Sequence, residues 1–130
     1  MTVTFNFTIT DIPVTGAHTE SLEIFDGDTG AAYDFSDRTF RLQVGPRRDT
    51  DDPTLILDEA DGDGVSQSVM TDPRDGMTYN LIELRFPAIK TGITAGTYQA
   101  DLWADLIGGT PDYSYLLGRG TIEFIDEASR

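Results

Sequence analysis

Apolar and polar residues alternate along most of this chain, and this period of two constrains the fold more than any other feature. The pattern is clear in TVTFNFTIT (2–10), in RTFRLQV (38–44) and in TYQADLWADLI (97–107). Successive side chains of a β-strand point to opposite faces, so such alternation predicts strands with one buried face. No window of a dozen residues shows the spacing of three and four that predicts an amphipathic helix.

Clusters of Gly, Pro and Asp separate the alternating segments, as in FDGDTG (25–30), DEADGDG (58–64) and IGGTPD (107–112). About seven to nine strands at this spacing predict an all-β fold, an antiparallel sandwich of immunoglobulin-like type. A small barrel is the alternative. We expect one domain over residues 1–130, because the chain shows neither a linker nor an internal repeat and has the length of one domain.

Two strands are predicted to be irregular. In MTYNLIELRF (77–86) the apolar positions change phase after Leu81, which predicts a β-bulge. The segment Gly118-Arg119-Gly120 is predicted to break the last strand or to permit a bend or bulge in it, since glycine weakens a strand interior.

The chain carries 23 acidic and 9 basic residues, a formal net charge of −14. A field of this sign repels nucleic acid and anionic membranes, so we expect neither as a partner. No segment approaches the roughly 20 apolar residues of a membrane helix. The first ten residues alternate instead of forming the apolar run of a signal peptide, so we expect no secretory leader.

The residue inventory indicates a protein that is not an enzyme. Cysteine is absent and His18 is the only histidine, which excludes thiolate metal sites and any site needing two imidazoles from one chain. There is no Gly-x-Ser-x-Gly elbow and no phosphate-binding loop. Nothing selects a catalytic pair from the 23 carboxylates. We therefore predict no catalytic residue and no required cofactor.

One acidic segment has the beginning of a calcium loop. Glu59, Asp61 and Asp63 alternate before Gly64, as carboxylates do where they wrap a hard cation. The twelfth position of that loop is Met70, where a bidentate glutamate is needed. Two interpretations stay open: an acidic hairpin tip, and a weak calcium site of another geometry.

Aromatic side chains near the C-terminus are candidates for partner contact. Trp103 falls on the polar face of its strand, between Asp101 and Asp105. Such an aromatic residue either covers a sheet or anchors a contact with another chain. Tyr113 and Tyr115 are expected near Trp103 if the hairpin closes at Gly108-Gly109, and such a cluster could also stack on a sugar ring.

The loop GPRRDTDDP (45–53) supplies two further candidates for partner contact. Arg47 and Arg48 could reach an acidic neighbour across an interface, or they could simply be solvated.

The segment ITAGTYQADLWADLIGGTPDYSYLLGRGTIEFID (93–126) combines a Gly-x-Tyr turn, an alternating strand, a polar turn and a Leu-Leu-x-Gly strand. It resembles the end of the small immunoglobulin-like sandwich domains of tailed-phage virion structural proteins. FSDRTFRLQVGPR (35–47) and LRFPAIKTGITAG (84–96) are similar to earlier strands of those domains. The residues that carry the C-terminal resemblance are Ala95, Gly96, Thr97, Tyr98, Asp101, Leu102, Leu116, Leu117, Gly118, Gly120, Ile122 and Phe124.

The resemblance implies a non-enzymatic virion protein without catalytic residues. Because this chain ends soon after the last strand, it implies a stand-alone accessory protein that decorates the capsid or attaches to the tail or baseplate. The implied partners are major capsid or tail proteins, with many copies of the chain on a symmetric lattice of the virion. The alternative is a carbohydrate-binding or calcium-dependent adhesion module.

Overall fold

A computed structural model describes residues 5–46, 54–88, 90, 93–109 and 114–126. Within these ranges the chain forms eight strands and one short 3-10 turn, Glu59–Asp61. No helix in these ranges is long and apolar enough to cross a bilayer. The strands are β1 (Phe5–Pro13), β2 (His18–Ile24), β3 (Arg38–Gly45), β4 (Leu55–Asp58), β5 (Val65–Thr71), β6 (Thr78–Phe86), β7 (Gly96–Leu106) and β8 (Tyr115–Ile125).

The strands form two sheets that pack as a sandwich. The larger sheet has the order β1-β8-β7-β3-β4 and the smaller sheet the order β2-β6-β5. All neighbouring strands are antiparallel except β1 and β8, which run parallel. The chain crosses repeatedly between the sheets, and the order corresponds to that of immunoglobulin-like sandwiches. The predicted all-β sandwich is confirmed, since two separate sheets replace the alternative of a closed barrel.

The core lies between the sheets and is built from the inward residues of both. Phe40, Leu42 and Val44 of β3 are fully buried, as the alternation predicts. Edge-to-face aromatic contacts join the layers, with Phe86 of β6 and Phe124 of β8 6.2 Å apart between ring centroids. Burial of these apolar side chains is the main force that holds the sheets together.

The predicted bulge in β6 is wrong. The strand pairs with β2 and β5 without a register shift, and Asn80, Ile82 and Leu84 occupy successive inward positions. The apparent phase change arises because Asn80 is polar but buried. Its side-chain oxygen accepts a hydrogen bond from the Tyr33 backbone N–H at 2.8 Å, and its amide nitrogen donates to the Tyr33 carbonyl at 3.0 Å.

The observed irregularities lie in the strands at the chain ends. In β1 the pairing shifts between Ile9 and Ile12, where Asp11 adopts a positive φ of 63°. In β8 the pairing shifts between Leu116 and Gly118, so Leu117 is an extra residue. The strand itself continues through Gly118 to Gly120, so the predicted break is wrong, whereas the predicted bulge is found directly before Gly118.

Candidate functional site

The outer face of the larger sheet carries an ordered array of charged and aromatic side chains. Cross-strand pairing places Arg41 of β3 beside Trp103 of β7, and Trp103 beside Leu116 of β8. The next row contains Gln43, Asp101 and Arg119. We call this surface the Trp103 face; its residues are Arg41, Gln43, Asp101, Trp103, Asp105, Leu116 and Arg119.

Arg41 is held between an aromatic ring and a carboxylate. Its guanidinium carbon lies 5.8 Å from the centroid of the Trp103 ring, within the range of a cation–π contact. Its Nε and Nη2 donate to the two Asp105 carboxylate oxygens at 2.9 and 3.0 Å. This bidentate ion pair fixes the guanidinium plane and is stronger than a single hydrogen bond.

The environment keeps Asp105 ionised. Burial by itself would raise the pKa of this carboxyl, but hydrogen bonds from Arg41 and from the Ser114 hydroxyl outweigh burial and lower it. The same hydrogen bond to Asp105 is the main cause of the raised pKa of Arg41. Both groups therefore stay charged and in place at neutral pH.

A second ion pair lies in the neighbouring row of the same face. Arg119 Nε donates to Asp101 at 3.1 Å, and Asp101 is only 5% exposed although it lies on the outer face. Opposite charges directly across a strand pair stabilise the sheet. The Trp103 face therefore presents charges whose positions are set by the sheet register.

Trp103 is partly exposed, and its ring is the large aromatic group of this surface. Its indole Nε1 is buried and makes no hydrogen bond with any other described residue. Trp and Arg are the residue types that most often dominate binding energy at protein interfaces.

We predict that Asp105→Asn lowers stability at neutral pH and weakens its pH dependence. The pKa of Asp105 is lower in the folded protein than in the unfolded chain, so its stabilisation is present above about pH 3.9 and is lost as pH falls through the folded pKa. We expect a loss of about 1 kcal/mol at pH 7, since the pair is partly exposed, and less near pH 2.5.

Urea unfolding of wild type and variant at both pH values measures this difference. Asp37→Asn is the matched control, because that carboxylate is 64% exposed and 3.8 Å from the Arg38 guanidinium. An Asp105→Asn variant that follows the wild-type pH dependence would contradict the assigned role of Asp105.

The predicted neighbourhood of Trp103 and Tyr115 is not found. Leu116 is the cross-strand partner of Trp103, whereas Tyr115 pairs with the inward-facing Ala104. Because side chains alternate, Tyr115 lies on the opposite face, where it packs against the core under the Arg38 guanidinium at 4.7 Å. Of the other predicted contact residues, Tyr113, Arg47 and Arg48 lie outside the described residues.

The acidic segment around Glu59 has the backbone of a tight hairpin tip. Asp58 and Asp63 exchange two backbone hydrogen bonds, and Gly62 and Gly64 adopt positive φ angles of 69° and 79°. Glu59 turns away from the tip, since its carboxylate accepts hydrogen bonds from the Phe40 backbone N–H and the Gln67 amide. Glu59, Asp61 and Asp63 are thus not gathered into one cluster. No group of three or more acidic or histidine residues within the described ranges could hold a metal ion.

The ion pairs of the Trp103 face were not found by sequence reasoning. Arg41 and Asp105 are 64 positions apart, and no local signal connects them. Their contact depends on the register between β3 and β7, which places Arg41 opposite Trp103 and so within reach of Asp105. The alternation of polar and apolar residues does place Arg41, Trp103 and Asp105 on the polar faces of β3 and β7. This placement was the sequence signal for the surface.

Comparison with known proteins adds no relative to this description. The chain matches no protein-family model, no curated protein and no solved structure. The similarity of its last third to tailed-phage sandwich domains therefore stays a prediction from the residues named above.

Proposed function

We propose that this chain is a non-enzymatic structural protein of a tailed-phage virion. It decorates the capsid or attaches to the tail or baseplate, and it docks on a neighbouring virion protein through the Trp103 face. The observation that supports docking is the Arg41–Trp103–Asp105 arrangement, a partly exposed indole beside a guanidinium fixed by two hydrogen bonds. The virion setting depends on the resemblance of residues 93–126.

Preorganisation of the side chains supports a role in binding. Ordering flexible side chains at an interface costs about 0.5–1.5 kcal/mol for each one. On the Trp103 face, Arg41 and Arg119 are already held by Asp105 and Asp101. A partner therefore meets a defined pattern of charge and aromatic surface, and less of its binding energy is lost in ordering this chain.

The charge of the chain supports a basic surface on the partner. A net charge of −14 favours association with a positively charged patch and opposes contact with other acidic surfaces. On a symmetric lattice many copies bind at once, so each contact can be weak while the assembly is stable.

The experiment is quantitative mass spectrometry of purified particles, with Trp103→Ser introduced into the gene. We expect a fixed ratio of this chain to the major capsid or tail protein, and at least a tenfold lower ratio for the variant, as for loss of an aromatic anchor. Val69→Ser is the control, because Val69 is 60% exposed and lies on the other sheet.

Absence of the chain from the particles would overturn the virion proposal. If instead a folded Trp103→Ser variant, checked by thermal melting, were incorporated like the wild type, the Trp103 face would not be the docking surface. The alternative of a glycan or calcium-dependent module draws less support, because Tyr115 faces away from Trp103 and Glu59 is engaged by Phe40 and Gln67.

A further inference from the structure

The smaller sheet carries an apolar stripe on its outer face, away from the core and from the Trp103 face. Met70 of β5 pairs with Tyr79 of β6. On the opposite side of β6, Ile24 at the end of β2 pairs with Asn80. The next residue, Phe25, therefore lies beside Tyr79, across from Met70. The Phe25 and Tyr79 rings stack with centroids 4.8 Å apart. We call the surface formed by Phe25, Met70, Met77 and Tyr79 the Phe25 stripe.

The apolar side chains of the stripe are exposed to solvent. Phe25 is 57% exposed, Met77 52% and Met70 40%. Contiguous exposed apolar surface on a small domain marks interaction sites more often than scattered apolar residues do. Methionine is suited to such a surface because its flexible thioether adapts to different partners.

A groove of about 300 Å³ opens beside the stripe. Phe25 and Met77 form its apolar walls, and the turn 26–30 closes it. Gly30 allows this shape, since it adopts a φ of 67° and an added Cβ would lie 3.3 Å from the Met77 sulfur. The groove is large enough for one apolar side chain of a partner.

The rim of the stripe is acidic. Among the described residues, five carboxylates lie beside the stripe or its groove, against one guanidinium, that of Arg74. Arg74 is already engaged, with Nη2 at 2.9 Å from Asp72. Burial and the nearby Glu23 carboxylate raise the pKa of the Tyr79 phenol, so Tyr79 stays neutral and the charge of the rim comes from its carboxylates. Asp26 and Asp28 line the groove, and Glu23 and Asp72 lie close enough to Tyr79 to raise its pKa. Asp75 accepts a hydrogen bond from the Met77 backbone N–H at 2.9 Å.

We propose that the Phe25 stripe binds a segment of another protein in which an apolar side chain is flanked by arginine or lysine. The apolar side chain fills the groove between Phe25 and Met77, and the flanking cations meet the acidic rim. A second copy of this chain is a poor occupant, because it would bring an equally acidic rim and a net charge of −14. The stripe and the Trp103 face lie on different sheets, so the domain can hold two partners at once.

The test uses a synthetic peptide, Gly-Arg-Met-Phe-Arg-Gly with blocked ends, titrated into the full chain and followed by NMR. We expect shifts in the Met70 and Met77 methyl signals. The indole N–H signal of Trp103, the only tryptophan in the chain, is the internal reference and should not move. Binding should weaken as salt is raised, because exposed charges are screened.

Variants and a second peptide make the result decisive. Phe25→Ser and Met77→Ser should each weaken binding about tenfold or more, as expected for loss of a buried apolar side chain. Val69→Ser on the same strand as Met70 should leave affinity unchanged, since Val69 is exposed but points away from the stripe. The same peptide with glutamate in place of arginine should not bind.

Three outcomes would overturn the proposal. The first is equal binding of the acidic and basic peptides, and the second is a shift confined to the Trp103 signal. The third is dimerisation at rising protein concentration that Phe25→Ser abolishes, because the occupant would then be a second copy. Phe25 and Met77 are more than half exposed, so neither serine variant removes a core residue.

Discussion

Replacing Gly120 by alanine is expected to destabilise the chain by about 3 kcal/mol or more, at the upper end of what overpacking costs. Gly120 pairs with Phe7 across the parallel β1–β8 ladder. An added Cβ would collide with the Phe7 carbonyl oxygen and approach the Phe7 ring to 2.7 Å. The carbonyl belongs to the strand backbone, so β1 must move away and lose its pairing with β8.

Urea unfolding of three glycine variants separates this steric effect from a general effect of alanine. Gly118→Ala should cost less, since the added Cβ meets the far end of the Phe5 ring at 2.9 Å and the ring can turn. Gly27→Ala should change stability by less than about 0.5 kcal/mol, because nothing lies within 4 Å of an added Cβ. Equal effects at Gly120 and Gly27 would refute the close approach of β1 to β8.

Replacing Asn80 by leucine is expected to cost about 2–4 kcal/mol, even though leucine is apolar and the position is buried. The substitution removes both hydrogen bonds to Tyr33 and leaves the backbone N–H and C=O of Tyr33 without these partners. Each polar group left unpaired costs about 1–3 kcal/mol, so the loss at both Tyr33 groups outweighs the roughly 1.5–3 kcal/mol that burial of the leucine side chain contributes. Amide hydrogen exchange at Tyr33 should also become faster.

Asn6→Leu is the matched control for the same chemical change. Asn6 lies on β1 with an exposed side chain, so its substitution should leave the free energy of unfolding nearly unchanged. An Asn80→Leu variant as stable as the wild type would mean that the segment around Tyr33 is not held by this side chain.

If both proposed docking surfaces bind partners, the sandwich connects two other proteins. The Trp103 face belongs to the larger sheet and the Phe25 stripe to the smaller sheet, and the apolar core separates them. The two surfaces differ in chemistry, since the first contains arginines held by carboxylates and the second an apolar groove with an acidic rim. Under the two proposals, partners of different character would bind on opposite sides of the same core.

Sequence reasoning succeeded where the physical cause is local. Alternation placed Phe40, Leu42 and Val44 in the core and Trp103 on the polar face of β7. It failed at Asn80, because a buried amide interrupts an apolar pattern as a change of strand phase would. The partner that makes burial of Asn80 favourable lies 47 residues away, at Tyr33.

The sequence by itself determined that this chain is all-β, because strand alternation and turn-forming residues act over a few positions and select the buried side of each strand. It favoured a sandwich, and the two separate sheets of the structure excluded the barrel. Only the tertiary structure decided which side chains meet on the outside. The extra residue Leu117 in β8 sets Leu116, not Tyr115, beside Trp103, and the β3–β7 register brings Arg41 to Asp105. Such contacts join segments far apart in the chain, and their register is chosen by the packing of the whole core.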